Sequence, residues 1–240
     1  KELKKLDSKS VRLAVTSPPY NLRKDYGLYM DNVGIDDWKA LIKNTLSEVH
    51  RVLTDDGSFF LNVSPIPDKK TKEIIPLDSI AWELGREAGF YLRNKIVWHF
   101  NNMQNPTKRL AGRWEAVLWF VKDLNNYVFN LEDVKIPCIT KNDKRFKAES
   151  GRNPTDVWFF HRVNNMTKKK LGLTSHPCIY PNEMIERIIK MSSNEGDWVL
   201  DPFVGSGTTM LVAKKLNRHS IGIEINKEYG DLINQRLLKE

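Results

Sequence analysis

The chain has 240 residues, 40% hydrophobic and 28% charged, enough for one substantial domain or one domain with an inserted lobe. No apolar run is long enough to cross a bilayer and no signal peptide is read at its start, while two cysteines, Cys138 and Cys178, cannot build a disulfide framework and fit a reducing compartment. Lys and Arg outnumber Asp and Glu by 38 to 30, a net charge of +8, so a polyanion is the partner that composition favours.

The first residue is Lys1 rather than Met, so the natural N-terminus is expected to lie upstream. Residues 1–10 read as a polar helix end or turn before the strand Val11-Arg12-Leu13-Ala14-Val15. Ser17-Pro18-Pro19-Tyr20 stops that strand, because two prolines remove two backbone donors and fix two φ angles. Carbonyls are left pointing outward beside a hydroxyl and an aromatic ring, a rigid acceptor cluster suited to a planar group bearing an NH2. Taken alone, the tetrapeptide is a turn. Residues 25–36 read as a loop. From Asp37 an amphipathic helix follows, with Trp38, Leu41, Ile42, Thr45, Leu46, Val49 and Leu53 at three- and four-residue spacings. Asp55-Asp56-Gly57 is its turn and cap signal. Residues 58–63 read as a buried strand, 77–88 as a helix with Asp78 as N-cap, and 91–100 and 114–121 as strands. This alternation predicts an α/β sheet with helices on both faces.

Residues 123–175 break the rhythm. They hold Lys135, Lys141, Lys144, Arg145, Lys147, Arg152, Arg162, Lys168, Lys169 and Lys170 against Asp123, Glu132, Asp133, Asp143, Glu149 and Asp156. A charge run is usually a solvated loop, but Trp158, Phe159, Phe160 and His161 interleave with the basic residues. That favours a phosphate-tracking, base-stacking surface, with Lys144, Arg145, Lys147, Arg152, Lys168, Lys169 and Lys170 as candidate nucleic-acid contacts.

Regular structure returns with a helix over residues 182–191, introduced by Pro181. Trp198-Val199-Leu200 reads as a strand, 208–216 as a helix, 219–225 as a strand and 227–238 as a closing helix. Asp201-Pro202-Phe203-Val204-Gly205-Ser206-Gly207-Thr208-Thr209 is a glycine-bearing turn between strand and helix, where backbone can approach a ligand closely. Glu224, at the end of the next strand, is placed to hold ribose hydroxyls. A P-loop would need Lys after Gly207, and a dinucleotide site would need a third glycine where Met210 stands. Asp201 would repel pyrophosphate, whereas a carboxylate there suits a ligand with an ammonium group and a ribose, such as S-adenosylmethionine. No residue cluster has metal-ligand spacing, and the five histidines are scattered.

Taken together, Asp201-Pro202-Phe203-x-Gly205-Ser206-Gly207-Thr208-Thr209 resembles the cofactor motif of DNA amino-methyltransferases, and Ser17-Pro18-Pro19-Tyr20 resembles their catalytic motif. The catalytic motif comes first and a basic region separates the two, an order that resembles the beta class. Residues 48–63, the segment from Arg113-Trp114-Glu115 to Lys122, His176-Pro177 and Tyr180-Pro181 extend the likeness over most of the chain. The resemblance implies a Rossmann-like methyltransferase sheet, seven-stranded and mostly parallel, with an inserted basic target-recognition region. Residues 1–122 would then be the catalytic half, 123–175 the recognition region and 176–240 the cofactor-binding half. It further implies that S-adenosylmethionine is held by His176, Pro177, Asp201, Phe203, Gly205, Ser206, Gly207, Thr208 and Glu224. A Gly-Asp dipeptide usual in the family is not seen ahead of the first strand, so an adenine-side cofactor contact is expected to be absent from this chain.

The same resemblance implies methyl transfer to an exocyclic amine of DNA, with Ser17 and Pro18 as acceptors on the amine and Tyr20 stacked on an extruded base. In the family, Ser at the first motif position goes with N4 of cytosine, and Asp or Asn with N6 of adenine, so cytosine is favoured and adenine is the alternative. DNA is the expected partner and no membrane is. Room is left for a homodimer and for a cognate restriction endonuclease acting on the same site, in the cytoplasm or nucleoid, or the nucleus of a eukaryote. Cysteine attack on cytosine is disfavoured, since Pro137-Cys138 and Pro177-Cys178 do not follow core strands in the right place. Methyltransferases of protein glutamine or RNA usually place the cofactor motif first. An inactive nucleic-acid-binding homologue is the non-enzyme alternative.

Overall fold

The structure, a computed structural model, describes residues 1–20, 34–68, 70–101, 105–137, 151–170 and 179–239. A 3-10 turn over Glu2–Lys5 leads into β1 (Val11–Thr16), α1 (Ile35–Val52) and β2 (Leu53–Val63). A small antiparallel ribbon of β3 (Ile66–Pro67) and β4 (Ile74–Ile75) precedes α2 (Leu77–Glu87), β5 (Tyr91–His99) and β6 (Trp114–Val121). The chain continues through β7 (Val157–Phe159), α3 (Asn165–Lys170), α4 (Asn182–Ser192), β8 (Trp198–Asp201), α5 (Thr208–Lys215), β9 (His219–Gly222) and α6 (Lys227–Lys239).

Seven strands form one sheet in the order β7-β5-β6-β2-β1-β8-β9. β1 pairs in parallel with β2 and β8, β9 with β8, and β7 with β5, whereas β6 runs antiparallel to both β2 and β5. This is the α/β sheet that the alternating pattern predicts and the Rossmann-like, seven-stranded sheet that the family resemblance implies. Helices cover both faces, so strands such as β2 are buried on both sides, and Phe59, Phe60, Leu61 and Val63 read as an apolar run interrupted by the buried Asn62. The pleat sorts β6 cleanly. Ala116, Leu118 and Phe120 face the core under α1 and α2, against Trp38, Ile42, Leu46 and Ala81. Val117, Trp119 and Val121 face the core under α4 and α5, against Ile185, Ile188, Val212 and Ala213. Among the described residues no helix is long and apolar enough to cross a membrane.

Several local expectations shift. Asp55-Asp56-Gly57 does not separate helix from strand, because β2 starts at Leu53, directly after α1. The extra residues are absorbed as a bulge, and the pairing jumps from Val11↔Leu53 to Leu13↔Ser58. Gly57 is needed there, since a Cβ would lie 2.9 Å from the Arg12 carbonyl oxygen. Pro76, not Asp78, occupies the N-cap of α2, and the buried Asp78 carboxylate pairs with Lys95. β9 stops at Gly222 rather than residue 225, because β8 offers it no pairing partner beyond Asp201↔Gly222.

The largest shift concerns residues 123–175. Among the segment's described residues, Val157–Phe159 join the sheet as the edge strand β7. Trp158 is a core residue, 3% exposed, with the Arg187 guanidinium 5.2 Å from its ring centroid. Its neighbour Phe159 is exposed and packs against His99. Strand alternation therefore divides a run of aromatics that looks continuous in the sequence.

Candidate active site

β1 and β8 lie side by side and parallel, with Leu13↔Val199 and Ala14↔Leu200 in register. The segments leaving their carboxyl ends therefore emerge together, at the point where the chain's strands diverge to either side of β1. Crevices in open α/β sheets form at such a switch point. A cavity of about 1060 Å³ opens there, lined by Ser17, Pro18, Pro19 and Tyr20 from one segment and by Pro202, Phe203, Val204, Gly205 and Ser206 from the other. Glu224, from the turn after β9, and Glu115, Asn62, Arg162 and Lys168 are part of its polar lining.

The two segments are tied together beneath the cavity by Asp201. Its Oδ1 accepts from the Thr16 hydroxyl at 2.6 Å and the Phe203 amide at 3.1 Å, and its Oδ2 accepts from the Thr209 hydroxyl at 2.7 Å. Asp201 is 1% exposed, and burial pushes its carboxyl up to about 6 against those three hydrogen bonds, with the Glu224 charge adding to the rise. The carboxylate expected to face a ligand instead clamps β1, the glycine turn and α5 from inside. Glu224 holds the turn from the other side, accepting from the Gly205 amide and the Asn226 amide, each at 2.9 Å.

Gly205 and Gly207 have φ of 53° and 80°, the left-handed region that glycine enters without cost. A Cβ on Gly207 would also stand 2.8 Å from Ile233 on α6. Gly207→Ala is expected to lower stability by about 2 kcal/mol from backbone strain alone, with the clash added, as a drop in melting temperature would register. Ser206 and Thr208 are buried, and Thr208 starts α5.

On the other side of the cavity, the Pro19 carbonyl accepts from the Trp38 indole at 2.8 Å, which pins the proline pair to α1. Tyr20 is 7% exposed. Its hydroxyl accepts from Ser17 Oγ at 2.6 Å and Asn62 Nδ2 at 2.5 Å, and lies 3.1 Å from both Glu115 Oε2 and the Asn62 carbonyl. The ring expected to stack on a ligand is thus held mostly within the wall and anchors the motif. Glu115, buried, also accepts from Asn62 Nδ2 at 2.8 Å and pairs with the Arg162 guanidinium, which lies 4.0 Å from the Phe100 ring centroid.

Of the other sequence candidates, Lys168 reaches the cavity lining, Lys169 is exposed, and Arg152 is half-buried with its backbone bridged to Ile136. Lys170 ends α3. His176, Pro177, Lys144, Arg145, Lys147, Cys138 and Cys178 lie outside the described residues. Sequence reasoning missed Asn62 and Glu115 as site residues and read Arg162 only as part of a charge run. The signal available was a polar residue within each of two strongly apolar strands, since such groups need buried partners.

The lining fits a cofactor with a cationic and a ribose portion. Glu224 holds a turn whose backbone is left free of side chains at Gly205. The family model of N6/N4 DNA methylases matches residues 11–235. The chain is 36% identical over 244 residues to the type II methyltransferase M.ScaI of Streptomyces caespitosus, covering 99% of this chain and 78% of that protein. It is 33% identical over 247 residues to the DNA adenine methyltransferase YhdJ of Escherichia coli K12, covering 98% and 79%. The crystal structure of M1.HpyAVI with S-adenosylmethionine superposes with a TM-score of 0.65 at 26% identity, covering 98% of this chain and 90% of that one.

Proposed function

The chain belongs to the N6/N4 family of DNA methylases, S-adenosylmethionine-dependent DNA amino-methyltransferases, and from there we propose that it methylates N4 of cytosine within a specific DNA site. The observation that carries the reading is the meeting of Ser17-Pro18 with the Phe203–Ser206 turn on one cavity. Bound S-adenosylmethionine supplies a methyl group on a positively charged sulfur, which an amine can attack. Phe203, Gly205, Ser206 and Glu224 hold the cofactor, while Asp201 keeps their turn in register with β1 through Thr16 and Thr209. His176 and Pro177 are assigned to the cofactor on the family resemblance alone.

An exocyclic amine conjugated to its ring is a poor nucleophile. Ser17 Oγ, whose own proton goes to Tyr20, and the Pro18 carbonyl each accept a hydrogen bond from one amine N–H and draw the nitrogen toward tetrahedral geometry. Its lone pair is then free for the methyl: the N–C bond forms as the S–C bond breaks, and the proton shed by the positively charged product nitrogen passes to water. Much of the remaining acceleration comes from holding the two centres in line. Residues 1–122 form the catalytic half, 123–175 the target-recognition region and 176–240 the cofactor half. Lys168 and Lys169, with Lys144, Arg145, Lys147, Arg152 and Lys170, supply the phosphate contacts. A homodimer and a restriction endonuclease sharing the site are the partners this role brings, in the compartment that holds the DNA.

Ser17 at the first motif position supports cytosine. The relationship to an adenine methyltransferase at 33% identity supports N6 of adenine as the second reading. Transfer of tritiated methyl to defined DNA, followed by nucleoside analysis, is expected to yield N4-methylcytosine. N6-methyladenine would move the assignment to the second reading, and no product with either base would overturn the enzyme assignment.

A further inference from the structure

Beneath Ser17 runs a chain of buried polar groups that fixes where its proton points. Glu115, 5% exposed and paired with the Arg162 guanidinium, can only accept. Asn62 must therefore turn its amide nitrogen toward it, and that nitrogen's second proton goes to the Tyr20 oxygen at 2.5 Å. The Tyr20 proton is directed to the other side, where Glu115 Oε2 and the Asn62 carbonyl, each at 3.1 Å, are both acceptors. Were Tyr20 to donate to Ser17 instead, its oxygen lone pairs would face a carboxylate in a buried site, which is costly. Ser17 Oγ, 2.6 Å from the phenol oxygen, is left to donate to it.

We propose that Glu115, held by Arg162, is a positioning residue that acts through Tyr20 to make Ser17 an acceptor-only group toward the target base. This rests on the amino-methyltransferase reading and deepens it. With its proton turned inward, Ser17 presents only lone pairs to the cavity. It selects a base that offers an N–H there and rejects one that offers a carbonyl. Its proton is withheld from a ring nitrogen such as N3 of cytosine, so the filter it applies acts at the exocyclic amine. The topology explains how the chain of groups is built. β6 is the reversed strand, so Glu115 near its start lies at the same sheet edge as Asn62 near the end of β2. Arg162 reaches that edge because β7 runs parallel to β5 and delivers the residues that follow it there. A residue of the basic segment thereby completes the catalytic wall.

The test compares the full chain with E115Q, Y20F, the double variant and S17A. Methyl transfer is followed with both substrates varied, together with binding to duplexes carrying either the target base or its carbonyl counterpart, uracil for cytosine or hypoxanthine for adenine. E115Q is expected to lower kcat by about tenfold or more, the weight of a hydrogen bond to a charged group. KM for cofactor and DNA should be nearly unchanged, and E115Q should bind the carbonyl duplex relatively better than the wild type does. Y20F should lose a similar factor, and the double variant no more than the weaker single variant. Wild-type kcat and unchanged amine-over-carbonyl preference in both E115Q and Y20F would overturn the relay, as would a double variant whose loss equals the product of the two. If E115Q fails to fold, Y20F alone decides by the same two readouts. Full activity in S17A would instead bring down the underlying reading.

Discussion

Ser17→Ala is expected to reduce methyl transfer by about 100-fold or more, the usual cost of deleting one preorganised polar contact to a reacting group. The substitution removes the hydroxyl that takes one amine proton. Nothing else in the described wall replaces it, because the Pro19 carbonyl is engaged by Trp38 and the Tyr20 hydroxyl by Asn62 and Glu115. The cofactor turn is untouched, so S-adenosylmethionine affinity should stay within about threefold, a small fraction of a tenfold step. Tyr20→Ala is expected to lose transfer as well, because it removes the anchor of the motif along with the ring. Single-turnover rates alongside cofactor titration separate these effects, and a Ser17→Ala protein that methylates at the wild-type rate would sink the proposed chemistry.

The second large effect is on stability, at Asp201. Its carboxyl lies at about 6 in the fold against 3.8 for an ordinary aspartate. The folded chain therefore binds this proton more tightly than the unfolded one. The contribution to stability is highest below 3.8, falls as pH rises through the window up to about 6, and is constant above. Two pH units correspond to about 3 kcal/mol. Asp201→Asn removes this pH dependence while keeping the Oδ1 acceptor for Thr16 and Phe203, and Thr209 can turn its hydroxyl to accept from the amide. The variant is expected to match the wild type near pH 4 and to exceed it by up to about 3 kcal/mol at pH 7. Asp201→Ala leaves three buried donors without an acceptor at about 1–3 kcal/mol each, and should fall below Asp201→Asn by about 3 kcal/mol or more. Melting temperatures of the three proteins between pH 4.5 and 8 test this, and parallel curves for wild type and Asp201→Asn would count against it.

Apolar periodicity carried most of the fold. Helical spacing from Trp38 to Val49 and the uninterrupted apolar stretch of β6 survive in any context, because each element must bury one stripe or both faces. Element ends were less legible. The bulge at Asp55-Asp56-Gly57 looks like a turn because local sequence shows a glycine and two carboxylates. It does not show the Arg12 side chain on β1 or the Lys122 side chain just past β6, which meet those carboxylates.

The sequence by itself determined the two motifs, their order, the cofactor type and the family. These depend on residue types held at short spacings, where backbone geometry is local. Tertiary structure alone decided which of those residues face the cavity. Thr16 and Asp201 are 185 positions apart and 2.6 Å from each other, and only the parallel pairing of β1 with β8 brings them together. Asp201 is thereby drawn inward as a clamp, Tyr20 becomes an anchor, and Glu115 and Arg162 enter the site from outside the two motifs that define it. The physical reason is that a hydrogen-bond partner is a matter of strand order and strand direction, and no spacing along a chain records either one.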